Sequence, residues 1–430
     1  MLATPTDRHL MTPSQFLSLP GAVESSGADA GVASHYGNPL REQRMLVGGA
    51  IVDLSSRGVI SVTGPDRLSW LDSVTSQALK RLMPGDSAET LLLDPSGRVE
   101  HAIRVFDDGV TAWLLVDGPE AAPLAAWLDR MRFMLRVEVA DRSDEFSTVG
   151  WMPGADAALT GSANGVTSAA AIEAFVAAPN DVALTWVDPW TEVVAGGHQY
   201  ADIDEHPGAD FPWRESLVPR SSLVAVVDAA RRGELEVAGL LAFEALRIAA
   251  WRPRFSTEAD ERLIPHEVDW IRSAVHLSKG CYRGQETVAK VHNLGHPPRR
   301  LVMLHLDGSD AVLPAPGDDV IVQGGEALVS PTAEAPAPAS ASPDAVTPTD
   351  AATAALASAA VGQVTASALH FELGPIALAI VRRSTPVDAA LAVRSEGILV
   401  AATQEVIVPP AAGAAVGRIP RLPRLGAVRR

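Results

Sequence analysis

Runs with strand periodicity and stripes with helical periodicity are mixed along this 430-residue chain without a steady β-α-β beat. That rhythm favours an α+β architecture over a doubly wound parallel sheet. Gly58-Val59-Ile60-Ser61-Val62 reads as a strand, and Gly64-Pro65-Asp66 ends it and opens a helix, where proline and an acid suit the first turn. Leu68, Leu71 and Val74 give that helix an apolar stripe. Asp94-Pro95-Ser96-Gly97 has turn chemistry between the runs 91–93 and 99–106 and predicts a hairpin, with residues 111–116 as the next strand. Residues 120–134 set Leu124, Trp127, Leu128 and Met131 on one helical face. Residues 221–232, closed by Gly233, and residues 239–250 are further predicted helices. Short strands are predicted at 301–306, 320–322, 361–365, 376–381, 391–393 and 398–401.

These elements suggest an N-terminal extension over 1–44 with order beginning near Val47, an α+β core over 45–298, and a β-domain over 299–410. Residues 155–170 are small and read as loop. Within the β-domain, residues from about 330 to 359 are an Ala/Pro/Ser/Thr tract whose apolar content does not offset its ordering entropy, so a disordered insertion is expected. Residues 411–430 form a tail with Arg418, Arg421, Arg424, Arg429 and Arg430, either a solvated end or a docking strip for an acidic face.

A formal net charge of -17 argues against a broad nucleic-acid footprint. One cysteine rules out an internal disulfide and is simplest in a reducing compartment. The N-terminal residues lack a signal-peptide apolar core, and no run approaches the ~18 apolar residues of a membrane span. The cytoplasm is the expected location, with no membrane partner. Phosphate-loop, Gly-x-Gly-x-x-Gly, serine-elbow and zinc spacings are all missing from the sequence. His266, His276, His292 and His296 surround the one cysteine without a metal-ligand pattern, so no metal site is expected.

The cysteine lies in Lys279-Gly280-Cys281-Tyr282-Arg283-Gly284-Gln285-Glu286. In an extended segment Lys279 and Cys281 would share a face, and an ammonium beside a thiol favours the thiolate. The alternative for a lone cysteine is a small buried hydrophobe. Gly280 and Gly284 permit tight turning or close approach by another group.

The octet resembles the Lys-Gly-Cys-Tyr-x-Gly-Gln-Glu signature of the YgfZ-type folate-binding proteins, relatives of the glycine-cleavage T-protein (GcvT). Residues 59–66, 91–101, 246–253, 263–267, 293–300 and 361–379 look like family segments in family order. The resemblance implies a GcvT-like fold, two α+β lobes and a C-terminal β-barrel around a folate cavity. It implies Cys281 as the reactive thiol and Lys279 as the folate-side cation. Tyr282, Gln285 and Arg247 are further candidates for holding the ligand, with Phe243 at a position that can carry an aromatic and Arg57 where a relative has tryptophan.

Aminomethyl-transferring T-proteins carry an aspartate in the hairpin, where this chain has Gly97-Arg98-Val99-Glu100-His101, and a pterin-binding glutamate where it has Ala249. Glu100, or another acid, could stand in. The expectation is a tetrahydrofolate-binding accessory protein supporting iron–sulfur proteins, including those that modify tRNA, rather than a classical aminomethyltransferase. The alternatives are a folate-dependent one-carbon transferase or demethylase and, third, direct tRNA binding through Arg-rich surfaces.

Overall fold

The computed structural model describes residues 13–154, 168–309, 311–323 and 359–416. Ordered structure begins ahead of Val47, with β1 (Val23–Glu24), β2 (Ala33–His35) and α1 (Pro39–Val47). The Asn38 side chain caps α1 by accepting from the Arg41 N–H at 3.0 Å. Phe16 is fully buried, so residues expected to lie on the surface as an extension contribute to the core from position 16 onward.

β3 (Ile51–Asp53) leads into the first lobe: β4 (Arg57–Thr63), α2 (Arg67–Val74), β5 (Ser87–Leu93), β6 (Val99–Asp107), β7 (Thr111–Asp117), α3 (Ala121–Met131) and β8 (Glu138–Asp141). The strands form an antiparallel sheet in the order β5-β6-β7-β4-β8. Strand alternation divides β4 between two cores. Ile60 and Val62 pack with Trp70 and Leu71 of α2 and Leu124 and Leu128 of α3, while Val59 joins the core of the second lobe. The predicted α3 stripe is shorter than its period suggests, because Met131 ends the helix on the surface. Pro65 precedes the Asp66 N-cap of α2 rather than occupying the first helical turn.

The second lobe continues with β9 (Phe146–Trp151), α4 (Ser168–Glu173), β10 (Thr185–Val187), β11 (Arg214–Pro219), α5 (Leu223–Arg231), β12 (Val237–Ala238) and α6 (Leu240–Ala249). Its sheet runs β10-β11-β9-β3-β12, with only β12 parallel to its neighbour. Of the stretch read as loop, 155–167 lies outside the described residues and 168–173 is α4. Small helices α7 (Phe255–Glu258) and α8 (Gln285–Leu294) connect to the barrel.

β13 (Arg299–Leu306), β14 (Asp319–Val322), β15 (Gly362–His370), β16 (Gly374–Arg382), β17 (Leu391–Ser395) and β18 (Ile398–Val406) close into a six-stranded barrel in the order β13-β16-β15-β14-β17-β18. Closure leaves no unpaired edge. The Ala/Pro tract falls between β14 and β15; up to residue 358 it lies outside the described residues, as do the tail arginines. The architecture is α+β, two lobes and a C-terminal barrel, as the rhythm and the resemblance implied.

Candidate functional site

The octet does not form a strand. It turns from a buried segment into α8, with Gly284 at the helix N-cap and φ +82. A Cβ at Gly284 would lie 2.6 Å from the Asp94 carbonyl oxygen, and one at Gly97 would lie 2.8 Å from Thr287 Cβ. The β5–β6 hairpin turn therefore rests directly on the start of α8, and only glycine allows that approach. Gly280 faces open space, so no such constraint applies there.

Because the segment turns, Lys279 and Cys281 part company. The Lys279 side chain is 4% exposed and runs inward. Its Nζ donates to the carbonyls of Thr75 at 2.9 Å and Gln77 at 2.7 Å, and to that of Asp72. Helix α2 ends here, and its last carbonyls lack intrahelical donors. An ammonium has three N–H groups, so Lys279 spends its donors capping α2. In this conformation it is not the free ligand cation expected from the sequence. Burial pushes its pKa down, while Asp72, 3.8 Å away, opposes that shift.

Cys281 is exposed, which excludes the buried-hydrophobe alternative. Tyr282 is buried with its ring 5.3 Å from Lys279 Nζ, and its hydroxyl has no hydrogen-bond partner among the described residues. Burial raises that hydroxyl's pKa above the ordinary tyrosine value. Gln285 donates from Nε2 to the Lys279 carbonyl at 3.3 Å. Arg283 grips Glu100 through both carboxylate oxygens, at 2.5 and 3.2 Å. The acid that could stand in for the T-protein aspartate is thus held by the octet itself.

The other three candidates lie elsewhere. Phe243 of α6 is core, its ring 4.6 Å from that of Trp213. Arg247 is fully buried between Glu244 at 2.6 Å and Glu258 at 3.1 Å, and also donates to the Arg252 carbonyl at 2.7 Å. Arg57 pairs with Asp117 through Nη1, and its Nη2 is 3.6 Å from Glu215. Burial, with Arg104 and Arg254 nearby, lowers the Arg57 pKa to about 9. Arg254 completes the network, bonding Asp29 at 2.7 Å and Asp117 at 3.3 Å. Sequence reading missed this web; its one local sign was two arginines flanking Pro253 directly after an apolar helix.

Arg57 nevertheless differs from Arg247 in one respect. Among the described residues its Nε and Nη2 have no hydrogen-bond acceptor, Nη2 keeping only its longer ion-pair contact with Glu215, and it lines a cavity of about 690 Å³ with Arg220, Asp141, Asp144 and Gly118. A second cavity, of about 550 Å³, lies between α7 and the barrel and is lined by Glu258, Arg299, Gln363 and Thr365. Neither is lined by Lys279 or Cys281. Among the described residues no group of three or more His, Cys, Asp and Glu side chains is placed to hold a metal ion, and no helix is long and apolar enough to cross a membrane. His266 is buried beneath α8, with Nε2 3.1 Å from the Val288 carbonyl, and burial lowers its pKa to about 3.

The fold is that of the glycine-cleavage T-proteins. Aminomethyltransferase T of the glycine cleavage system from Bartonella henselae superposes with a TM-score of 0.62 over 91% of this chain and 94% of its own, at 16% identity. In sequence the chain is similar to the tRNA-modifying protein YgfZ of Cronobacter sakazakii, 24% identical over 279 residues, 64% of this chain and 76% of the relative. It is also similar to YgfZ of Escherichia coli O157:H7, at 25% identity and covering 64% of this chain and 77% of the relative. No family model matches the chain. Fold and sequence together support a YgfZ/T-protein-like assignment.

Proposed function

We propose that this chain is a YgfZ-type accessory protein that binds a reduced folate without transferring its one-carbon unit and supports iron–sulfur proteins, including tRNA-modifying ones. The observation that carries this reading is the Arg283–Glu100 clamp: a T-protein fold keeps the octet, while the octet's own arginine occupies Glu100 of the hairpin. A carboxylate that accepts from a guanidinium at both oxygens is engaged in that ion pair rather than aimed at a substrate.

A folate offers a flat pterin with N–H donors and a glutamate tail with carboxylates. Arg57 has the unmet bonding capacity such a ligand would fill, at Nε and Nη2. Buried donors without acceptors cost about 1–3 kcal/mol each, and a ligand that satisfies them recovers that energy. The Arg57 cavity is within the size range of small-molecule sites and adds Asp141 and Asp144 as acceptors. Arg57 would hold a carboxylate in that cavity, while Tyr282 and Lys279, which do not line it, would act indirectly by fixing the octet. When bound, the folate supplies a one-carbon carrier, and the exposed Cys281 sulfur stands ready for a partner protein.

Titration with tetrahydrofolate, followed by quenching of the tryptophans, should give saturable binding with no turnover of an aminomethyl or N-methyl donor. Arg57→Ala should weaken binding about 10-fold or more. Cys281→Ser should bind folate normally yet fail to restore iron–sulfur enzyme activity in cells lacking the protein. Absence of saturable binding, or measurable turnover, would overturn the reading.

A further inference from the structure

The far end of the first-lobe sheet, away from the octet, carries an apolar surface that the folate reading does not use. Between α3 and β8 the chain runs Arg130-Met131-Arg132-Phe133-Met134-Leu135-Arg136. Phe133 is 78% exposed and Met134 99%. Leu135 and Met131 are also on the surface, as are Met83 before β5 and Val110 between β6 and β7. These loops meet at one end of one sheet. The Gly64 N–H donates to the Val110 carbonyl at 3.4 Å, a Cβ at Gly64 would lie 2.2 Å from the Arg136 carbonyl oxygen, and one at Gly109 would lie 3.2 Å from Pro84. Among the described residues these neighbouring loops gather exposed apolar side chains at one end of the sheet, a feature of interaction sites.

The tip is also held in shape. Phe133 has φ +44, a left-handed conformation that costs an aromatic residue about 1–2 kcal/mol. Arg136 fastens the loop to the α2 N-cap, bonding both oxygens of Asp66 at 2.6 and 3.0 Å, while its N–H donates to the same carboxylate at 2.9 Å. Most of the Phe133 ring surface stays in solvent. Both the strain and the exposure would be offset by a partner that receives the ring.

We infer that this tip is a docking surface for a protein partner presenting an apolar pocket edged by aspartate or glutamate. The tip supplies the complement. Arg130, Arg132 and Arg136 alternate with the apolar residues without an intervening acid, on a chain of net charge -17. Phe, Met and Arg are the residue types enriched at protein interfaces, and a rigid aromatic anchor loses little entropy on binding. An anionic bilayer fits less well. Asp66 and Asp129 already partner Arg136 and Arg132, which leaves little free positive field against a strongly acidic body. Discrete partner carboxylates can still reach Arg130 and the outer faces of the other two.

The test places the photo-crosslinker p-benzoylphenylalanine at Met134 of the full chain in its native cells, irradiates them and sequences the crosslinked peptide. One discrete protein adduct is expected, at an apolar segment containing Asp or Glu. Its yield should drop at least about 10-fold in Phe133→Ser, whose thermal midpoint should be unchanged, and in Arg130→Glu. Tetrahydrofolate binding by Phe133→Ser should match wild type, so failure here is distinguishable from failure of the folate reading. Adducts to lipid, to a second copy, to another segment of this chain, or to a peptide without acids would overturn the inference. No discrete adduct would do the same.

Discussion

The two ends of the first-lobe sheet have similar local chemistry and opposite fates. At one end the β5–β6 turn is pressed onto α8 through Gly97 and Gly284, with a separation that leaves no room for a methyl group. At the other end, the loop between α3 and β8 of the same sheet holds Phe133 and Met134 in solvent. Strand pattern determines which residues face the sheet's two sides. It says nothing about what is packed against its ends. The pinned end belongs to the octet and the candidate site, and the free end is where a partner can reach the lobe.

Substitutions at the pinned end should cost stability, and those at the free end should not. Gly284→Ala should have the largest effect, about 3–4 kcal/mol by denaturant unfolding, because it adds left-handed strain to a 2.6 Å clash with the Asp94 carbonyl. A loss below about 1 kcal/mol would show that the hairpin can lift off α8.

His266 supplies a pH dependence at the same end. Its folded pKa, about 3, lies below the ordinary 6.5 because burial disfavours the imidazolium. Stability is therefore full above pH 6.5 and falls as the pH drops toward 3, with about 3 kcal/mol lost between pH 6.5 and 4. His266→Gln should flatten that part of the profile, whatever its effect at neutral pH. An unchanged slope would assign the acid sensitivity to other groups.

Lys279→Ala leaves the carbonyls of Asp72, Thr75 and Gln77 without their donor and should cost about 2 kcal/mol. Any folate binding it loses should return in part when the fold is stabilised by osmolyte. Loss that persists in a fully folded variant would restore Lys279 as a direct ligand. The smallest effect belongs to the free end: Phe133→Ser should change stability by no more than about 0.5 kcal/mol, since it removes an exposed side chain. A large loss there would mean that the tip is covered.

Much of the scaffold was legible in advance. The hairpin around Gly97, the helices now seen as α3, α5 and α6, and the barrel strands follow from turn chemistry, apolar spacing and glycine stops, all of which act over a few residues. The Arg283–Glu100 clamp could not be read in this way, because its partners are 183 positions apart and nothing local says that they meet. The same holds for Arg57 and Arg254, which meet Asp117 and Asp29 only after the lobes close.

The sequence by itself determined the strand and helix periods, the α+β class and the octet's likeness to a known signature. Each of these is written in neighbouring residues. Only the tertiary structure decided that Lys279 points into α2, that Cys281 stays in solvent, and that Arg57 keeps unmet donors beside a cavity. A side chain's bonding capacity is a property of the residue, but whether that capacity is already used depends on groups that the fold brings from far along the chain.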